Sequence, residues 1–455
     1  MSLLSQWLLR IDGWVWGPAL LIFLVGTGVY LTFLLRGLQF CYLGYALKLA
    51  FSRHNKEGAG DISHFQSLMT SLAATIGIGN IAGVATAIMI GGAGALFWMW
   101  ITALVGMATK YSEAILAVKY RIVDKRGEMA GGPMYFIERG FGCKWLAILF
   151  ALFGAVAALG TGNMVQSHSV ADAVQTLLPV NHWWIGISLG ILTACVLFGG
   201  VKSIGKVSSV LVPVMALLYL LGGLAILVIS YDKLPKAFVL IVESAFTGQA
   251  AVGGFVGSSL LLAIQMGVAR GVFSNEAGLG TASIAAAAAK TDVPGRQALI
   301  SMTGTFLATL VVCTITGLVI TTTGVIGSVG QSGELLNGGP LTMRAFDSVL
   351  PGGGLIVTIG VVLFAYSTII GWAYYGEKCI EYLFGERSIN LYRLLFTLFV
   401  VLGSGLSLDV VWSLADISNG LMAIPNLIGV LGLSHVVASE TRAFERLLKT
   451  ENSRF

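Results

Sequence analysis

Charged residues are scarce: 27 basic and 22 acidic side chains make up 11% of 455 residues, while 56% are hydrophobic. A soluble globular protein carries roughly 25% charged residues. With a mean hydropathy of +0.86, this composition excludes a soluble domain and implies a polytopic membrane protein. The net charge of +5 does not suggest nucleic acid, because the basic residues sit in short loops beside apolar stretches. Cysteine is equally thin. Cys41, Cys143, Cys195, Cys313 and Cys379 are scattered, with no CxxC or Cys/His spacing, which argues against a disulfide framework or a zinc site. There is no HExxH, no metal-ligand cluster and no GxSxG, so an enzyme is not expected. No P-loop appears, so ATP is not expected to drive the protein directly. The first ten residues lack a basic region followed by an apolar core and a cleavage site, so no cleaved signal peptide is expected.

Glycine, by contrast, is abundant and oddly placed. Thr75-Ile-Gly-Ile-Gly-Asn-Ile-Ala-Gly83 interrupts an apolar stretch from about Phe65 to Ile90. Each glycine costs a helix roughly 1 kcal/mol against alanine, so the spacing predicts a helix that stops and restarts at mid-membrane depth. Broken backbone at that depth is tolerated only where it lines a cavity or is buried by protein. The pattern N-x-A-G-x-x-T-A of Asn80–Ala87 recurs 195 residues later as Asn275–Ala282, behind the glycines of Gly267-Val-Ala-Arg-Gly271. Paired interruptions at matching places in two halves point to the binding site of a secondary transporter. Close helix packing explains glycines, but not a repeated asparagine.

Eleven apolar stretches are long enough to span a bilayer, at roughly 20 residues each. They run over 14–35, 66–91, 93–118, 145–178, 183–200, 206–230, 251–289, 297–325, 352–378, 390–408 and 412–438. The fourth is too long to cross upright and is expected to tilt. The segment 37–63, with Lys48, Arg53 and Lys56, reads as an interfacial helix and loop. Its Leu47-Lys-Leu-Ala-Phe51 is similar to Leu234-Pro-Lys-Ala-Phe238, ahead of the second break. The organisation expected is therefore one transmembrane domain over 1–455: an extra N-terminal helix (14–35), a first repeat (66–230), a second (251–438) and a cytoplasmic tail (439–455). Five spans per repeat is an odd number, so the two copies lie in opposite orientation. Lys119, Arg121, Lys125, Arg126, Arg139 and Lys144 share one side with the basic C-terminal residues. By the positive-inside rule the C-terminus is cytoplasmic and the N-terminus outside.

A broken helix offers amides to an anion and carbonyls to a cation. At the first break the amides are those near Gly77, Ile78 and Gly79, and the carbonyls those near Ala73 and Ile76. Two breaks side by side suit a zwitterion, and an amino acid fits. No carboxylate lies within the first break, so an alkali ion there needs neutral oxygens. Ser367 and Thr368, just past Phe364, offer them, unless they only back-bond to carbonyls a turn earlier. In the fourth stretch Thr161, Asn163, Gln166, His168 and Asp172 are either inter-helix glue or site residues. Arg270 and Glu276 flank the second break and are expected to pair, with a proton relay as the alternative. Lys110 and Glu113 read as a snorkelling pair. A channel needs a continuous polar pore instead of two breaks, so transport is the reading favoured.

At these motifs the chain resembles the alanine/glycine:cation symporter family, within the amino acid–polyamine–cation superfamily. The residues that carry the resemblance are Thr75–Gly83, Gly131-Gly-Pro-Met-Tyr135, Gly267–Gly280 and Phe364-Ala-Tyr-Ser-Thr368. It implies an all-α leucine-transporter fold, with spans two to eleven as a 5+5 inverted repeat and two discontinuous helices. It also implies sodium- or proton-coupled import of alanine or glycine across the plasma (inner) membrane of a bacterium or archaeon, by alternating access. Na+ would be the coupling ion, with no organic cofactor, no nucleic acid and no ATP among the partners. The carboxylate would meet amides of Gly77 and Gly79. Sodium would take carbonyls of Ala73, Ile76 and Phe364 with the hydroxyls of Ser367 and Thr368. Gln166, Phe273, Asn275 and Trp372 would line the pocket.

Overall fold

Backbone polar groups in hydrocarbon must find partners within their own segment, and this chain meets that demand with helices. The computed structural model describes residues 3–52, 58–247, 260–330, 333–406 and 409–452. The one regular strand pair among them is a short antiparallel hairpin, Ile122–Val123 against Met129–Ala130. Each of the eleven apolar stretches carries helix, although residues 251–259 of the seventh and 407–408 of the tenth lie outside the described residues, as do Arg53 and Lys56.

Seven of the described helices are long and apolar enough to cross a membrane: Gly94–Lys119, Lys144–Gln175, Gly200–Ile229, Pro294–Thr323, Gly353–Phe384, Glu386–Gly405 and Val410–Gly432. Pro18–Leu34, Ala82–Gly91, His182–Leu197 and Leu260–Asn275 are shorter apolar helices. On Gly200–Ile229 the exposed residues Val210, Val214, Leu217, Leu221, Leu224 and Val228 recur every three or four positions. That is one continuous helical face made wholly of hydrocarbon. In water it would be a large apolar patch; against acyl chains it costs nothing.

The breaks fall where the glycines are. The first broken helix runs His64–Thr75, passes through a 3-10 turn at Ile78–Asn80, and resumes at Ala82–Gly91. A capping box starts it: Ser63 Oγ accepts from the Gln66 amide at 3.2 Å, and Gln66 Oε1 from the Ser63 amide at 3.0 Å. The second runs Leu260–Asn275 and resumes at Thr281–Ala287. The halves pair crosswise: His64–Thr75 packs on Thr281–Ala287, and Ala82–Gly91 on Leu260–Asn275.

One end of this crossed pair is stitched together. The amides of Asp61 and Ile62 donate to Ala288 O at 2.9 and 3.2 Å, and Lys290 N donates to Ile62 O at 2.8 Å. Ser67 Oγ donates to Ala285 O at 2.9 Å. Arg121 then spends its guanidinium on carbonyls at and beyond the end of the restarted helix, Ala287, Ala289 and Thr291, and on that of Ala59 ahead of the first broken helix, at 2.5 to 2.8 Å. A loop arginine expected to set orientation thus also caps a broken helix.

Several helices were not expected. Leu3–Val15 precedes the first stretch, Pro133–Arg139 carries the Gly-Gly-Pro motif, and Gly338–Asp347 sits in the long loop before the ninth. The expected tail from 439 is part of a helix, Ser434–Asn452, after a last stretch that ends at Gly432 rather than 438. Val437, Phe444 and Leu448 bury one face of it. Tyr111 Oη donates to Thr441 Oγ1 at 3.2 Å, and Lys119 pairs with Glu440. The heptad-like spacing of those apolar residues was visible in the sequence but was overshadowed by the basic residues between them.

Candidate substrate and cation site

Four of the five oxygens expected around a cation are gathered at one point. Ser367 Oγ and Thr368 Oγ1 each stand 3.2 Å from Ala73 O and 2.9 Å from Phe364 O. The back-bond to Phe364 is real, but so is the reach to Ala73, across to the first broken helix. Both hydroxyls are buried. Two protons cannot serve four such contacts, so the cluster holds a surplus of lone pairs and no formal charge. An oxygen-only donor set of this kind suits a hard cation. Ile76, the fifth, is the residue where the first helix ends, at φ −84° and ψ 85°.

Beside this cluster lies a cavity of about 20 Å³, lined by Thr75, Gly77, Gly79 and Glu276 of the two breaks together with Gln166, Phe273, Thr368 and Trp372, and with Ala74, Thr161, Leu279 and Asn419. That volume is close to what one water needs, so the walls stand close together. A Cβ added at Gly79 would come 2.7 Å from the Phe273 ring, and one at Gly162 would collide with Trp372. Gly162 belongs to a π turn at Gly160–Met164 in the fourth helix, a kind of bulge often found at functional sites. There Gln166 Nε2 donates to Thr161 O at 3.0 Å, leaving the buried Gln166 Oε1 without a partner. Asn163 faces elsewhere and donates to Phe396 O at 2.7 Å as inter-helix glue.

The first break is closed by Asn80. Its Oδ1 accepts from the Gly77 amide at 3.1 Å, and its Nδ2 donates to Ala308 O at 3.0 Å. The Gly77 amide also reaches Thr75 O at 3.2 Å. The Gly77 amide, expected to meet a carboxylate, is therefore engaged within the break, although the residue itself lines the cavity. The amides of Ile78 and Gly79 take part in none of these bonds, although the Ile78 residue lines a different cavity, together with Asp172 and Met343. The asparagine that marked both repeats thus does structural work: it replaces the helical bond that the glycines forfeit.

Its counterpart Asn275, expected in the pocket, behaves likewise and does not line this cavity. Asn275 Oδ1 accepts from the Ala277 amide at 2.9 Å and its Nδ2 faces Thr309 at 3.2 Å, turned away from the cavity. The next residue does face it. Glu276 is buried and lies in the left-handed region at φ 56°, which costs a non-glycine residue about 1–2 kcal/mol. Its Oε2 accepts from Thr281 at 3.0 Å. Sequence reading singled out Glu276 as a partner for Arg270, with a proton relay as the alternative. Arg270 instead lies over the Phe273 ring and lines a separate cavity of about 170 Å³ with Asp12 and Asp416.

Lys110 and Glu113 do not snorkel, because the helix that carries them packs along the second broken helix and leaves both fully enclosed. Lys110 Nζ donates to Asn275 O at 2.7 Å. Glu113 Oε1 accepts from the Gly278 amide at 3.0 Å and from Asn426 Nδ2 at 2.6 Å, and Asn426 also donates to Gly278 O at 2.8 Å. A cation on the carbonyl end of one half-helix and an anion on the amides past the break match the local dipoles. The spacing of Lys110 and Glu113 was legible, but their depth was not.

Comparison with known proteins gives a family and a fold. The profile of the sodium:alanine symporter family matches residues 1–455. The sodium/alanine symporter AgcS of Methanococcus maripaludis is 58% identical over 446 residues, covering 97% of each chain. Among solved structures, MhsT in complex with L-phenylalanine superposes with a TM-score of 0.58 at 13% identity, over 83% of this chain and 89% of that one. A manganese transporter of Eremococcus coleocola gives 0.51 at 14% identity, over 84% and 81%. Both are transporters of the leucine-transporter fold, and at such identities the likeness is one of fold.

Proposed function

The chain belongs to the sodium:alanine symporter family, a multi-pass membrane transporter and not an enzyme, and from that premise we propose that it imports alanine or glycine together with sodium. The observation that carries the proposal is the uncharged oxygen cluster of Ala73, Phe364, Ser367 and Thr368, joined through Gly77 to a small cavity. Sodium is held by those four oxygens and the carbonyl of Ile76. The substrate carboxylate is met by the amides of Ile78 and Gly79. Its ammonium is met by Gln166 Oε1 and the carboxylate of Glu276, and its side chain packs against Phe273 and Trp372. A cavity this small favours a small side chain.

The membrane arrangement proposed is eleven crossings, the last ten as two inverted sets of five, in the inner membrane of a bacterium or archaeon. The N-terminus is outside and the C-terminus cytoplasmic. The crosswise pairing of the two broken helices supports the inverted repeat. Sodium binds first, ties the first broken helix to the ninth, and the amino acid then joins both breaks before the bundle rocks to the inward state. Coupling is reciprocal: sodium tightens alanine binding and alanine tightens sodium binding by one factor.

The test is labelled alanine uptake into proteoliposomes, with sodium and proton gradients imposed separately. Concentrative uptake under the sodium gradient alone is expected. Uptake that follows only the proton gradient would move coupling to Glu276, the ionisable group in the cavity.

A further inference from the structure

His168 and Asp172, one turn apart, meet His182 at the start of the next helix, His182–Leu197. His168 Nε2 lies 3.5 Å from Asp172 Oδ2, and His182 Nε2 lies 3.7 Å from Asp172 Oδ1. The three ligand atoms all fall within 4.8 Å of one another. His182 Nε2 also stands 2.7 Å from Gln175 Oε1.

The His–Asp separations exceed those of hydrogen bonds, which end near 3.2 Å. They come near the edge lengths of a coordination tetrahedron, each to a different oxygen of Asp172. With bonds of about 2.0–2.2 Å to nitrogen and carboxylate oxygen, neighbouring ligands of a tetrahedral zinc stand about 3.3–3.5 Å apart. Two imidazoles and a carboxylate are also the wrong donors for sodium and the right ones for zinc, nickel or copper. The site is reachable from solvent, since the Asp172 side chain is 57% exposed and those of His168 and His182 are 29% and 23% exposed. Cysteine spacing spoke against zinc, but this cluster needs no cysteine. It is assembled by the turn between two helices.

We propose that His168, Asp172 and His182, with water completing the coordination and the His182–Gln175 hydrogen bond giving way to the ion, bind a divalent transition-metal ion of the zinc class. The site has a bearing on transport. Asp172 also lines a cavity of about 200 Å³ whose other wall includes Ile78 and Ala82 of the first broken helix. Coordination draws Asp172 towards the histidines and pins the end of one helix to the start of the next. A bound ion therefore slows transport, a consequence that rests on the transport reading above.

The binding itself is tested by titrating Co2+ into the purified, tag-free protein and recording the visible spectrum. A tetrahedral d–d band that saturates at one ion per chain and is displaced by Zn2+ is expected. His168→Gln and His182→Gln should each weaken it by about tenfold or more. A spectrum no different from aqueous Co2+, or variants that titrate like the wild type, would overturn the site. In the second arm, Zn2+ should lower alanine uptake by about fivefold in wild-type proteoliposomes, and leave His182→Gln, with normal metal-free uptake, unaffected. Undiminished uptake in the metal-loaded wild type would overturn the link to transport. Absence of metal-free uptake in the wild type would count against the transport reading, with the cobalt titration still deciding the site.

Discussion

Gly77 and Thr368 face each other so closely that a Cβ on the glycine would stand 2.5 Å from the threonine hydroxyl oxygen. The break in one helix and the cation oxygens of another are thus one object. Gly77→Ala is expected to push Thr368 Oγ1 off the cluster and to raise the sodium half-saturation of alanine uptake by about tenfold, the loss of one hydrogen bond to a charged partner. An unchanged sodium dependence in a folded variant would separate the two sites.

Thr368→Val keeps the shape of the side chain and removes one donor oxygen. One lost contact to a charged group is worth about 1.5–3 kcal/mol, or roughly 10–100-fold. Sodium half-saturation should worsen by that factor, and Ser367→Ala should do the same. Alanine affinity at saturating sodium should change far less. A selective loss of alanine affinity would place the pair in the substrate pocket instead.

Lys110→Met leaves Asn275 O without its donor and Glu113 without a nearby cation, inside a packed bundle. Breaking a buried charge arrangement by removing one member costs about 3–5 kcal/mol. The thermal midpoint in detergent should fall by many degrees. Glu113→Gln and Asn426→Ala share one oxygen, so their costs should combine to much less than their sum. Strict additivity would argue against a shared clamp.

Gly162 makes room for Trp372, so Gly162→Ala should drive the indole into the cavity. One methylene of pocket is worth about 1–3 kcal/mol of discrimination. Competition assays should show alanine losing ground to glycine by about tenfold or more. Equal losses for both substrates would mean that Trp372 does not limit side-chain size.

In the loop after the third helix, burial pushes the Asp124 carboxyl up. The backbone amide of Glu128, the charges of Lys378 and Arg126, and the amide of Arg126 outweigh it, so the group ends below its ordinary value of 3.8. A depressed carboxylate stabilises the fold above its unfolded value and loses that contribution as pH falls through the folded one. Loop order, read by limited proteolysis, should hold from neutral pH down to about 4 and decline below it. Asp124→Asn should abolish that pH dependence.

The sequence by itself determined that the chain is helical and embedded in a membrane, where it breaks, and which hydroxyls sit one turn past Phe364. Those properties are local. Hydropathy follows composition, a glycine cluster weakens a helix wherever it lies, and the positions 364, 367 and 368 share a face by helical periodicity alone. The family resemblance, not periodicity, pointed to Gln166, Phe273 and Trp372, all of which line the cavity.

The tertiary structure decided what each polar group does at the breaks. Asn80 and Asn275 carry the repeated motif, yet both spend their side chains on holding the backbone. Glu276 turns inward only because a left-handed residue reverses the chain there. Lys110 and Glu113 are clamps because of the helix they pack against, some 165 residues away in sequence. Pairwise spacing records none of this. In hydrocarbon an unmet amide or carboxylate must find a partner from whichever helix lies nearest, and that neighbour is set by the packing of the whole bundle.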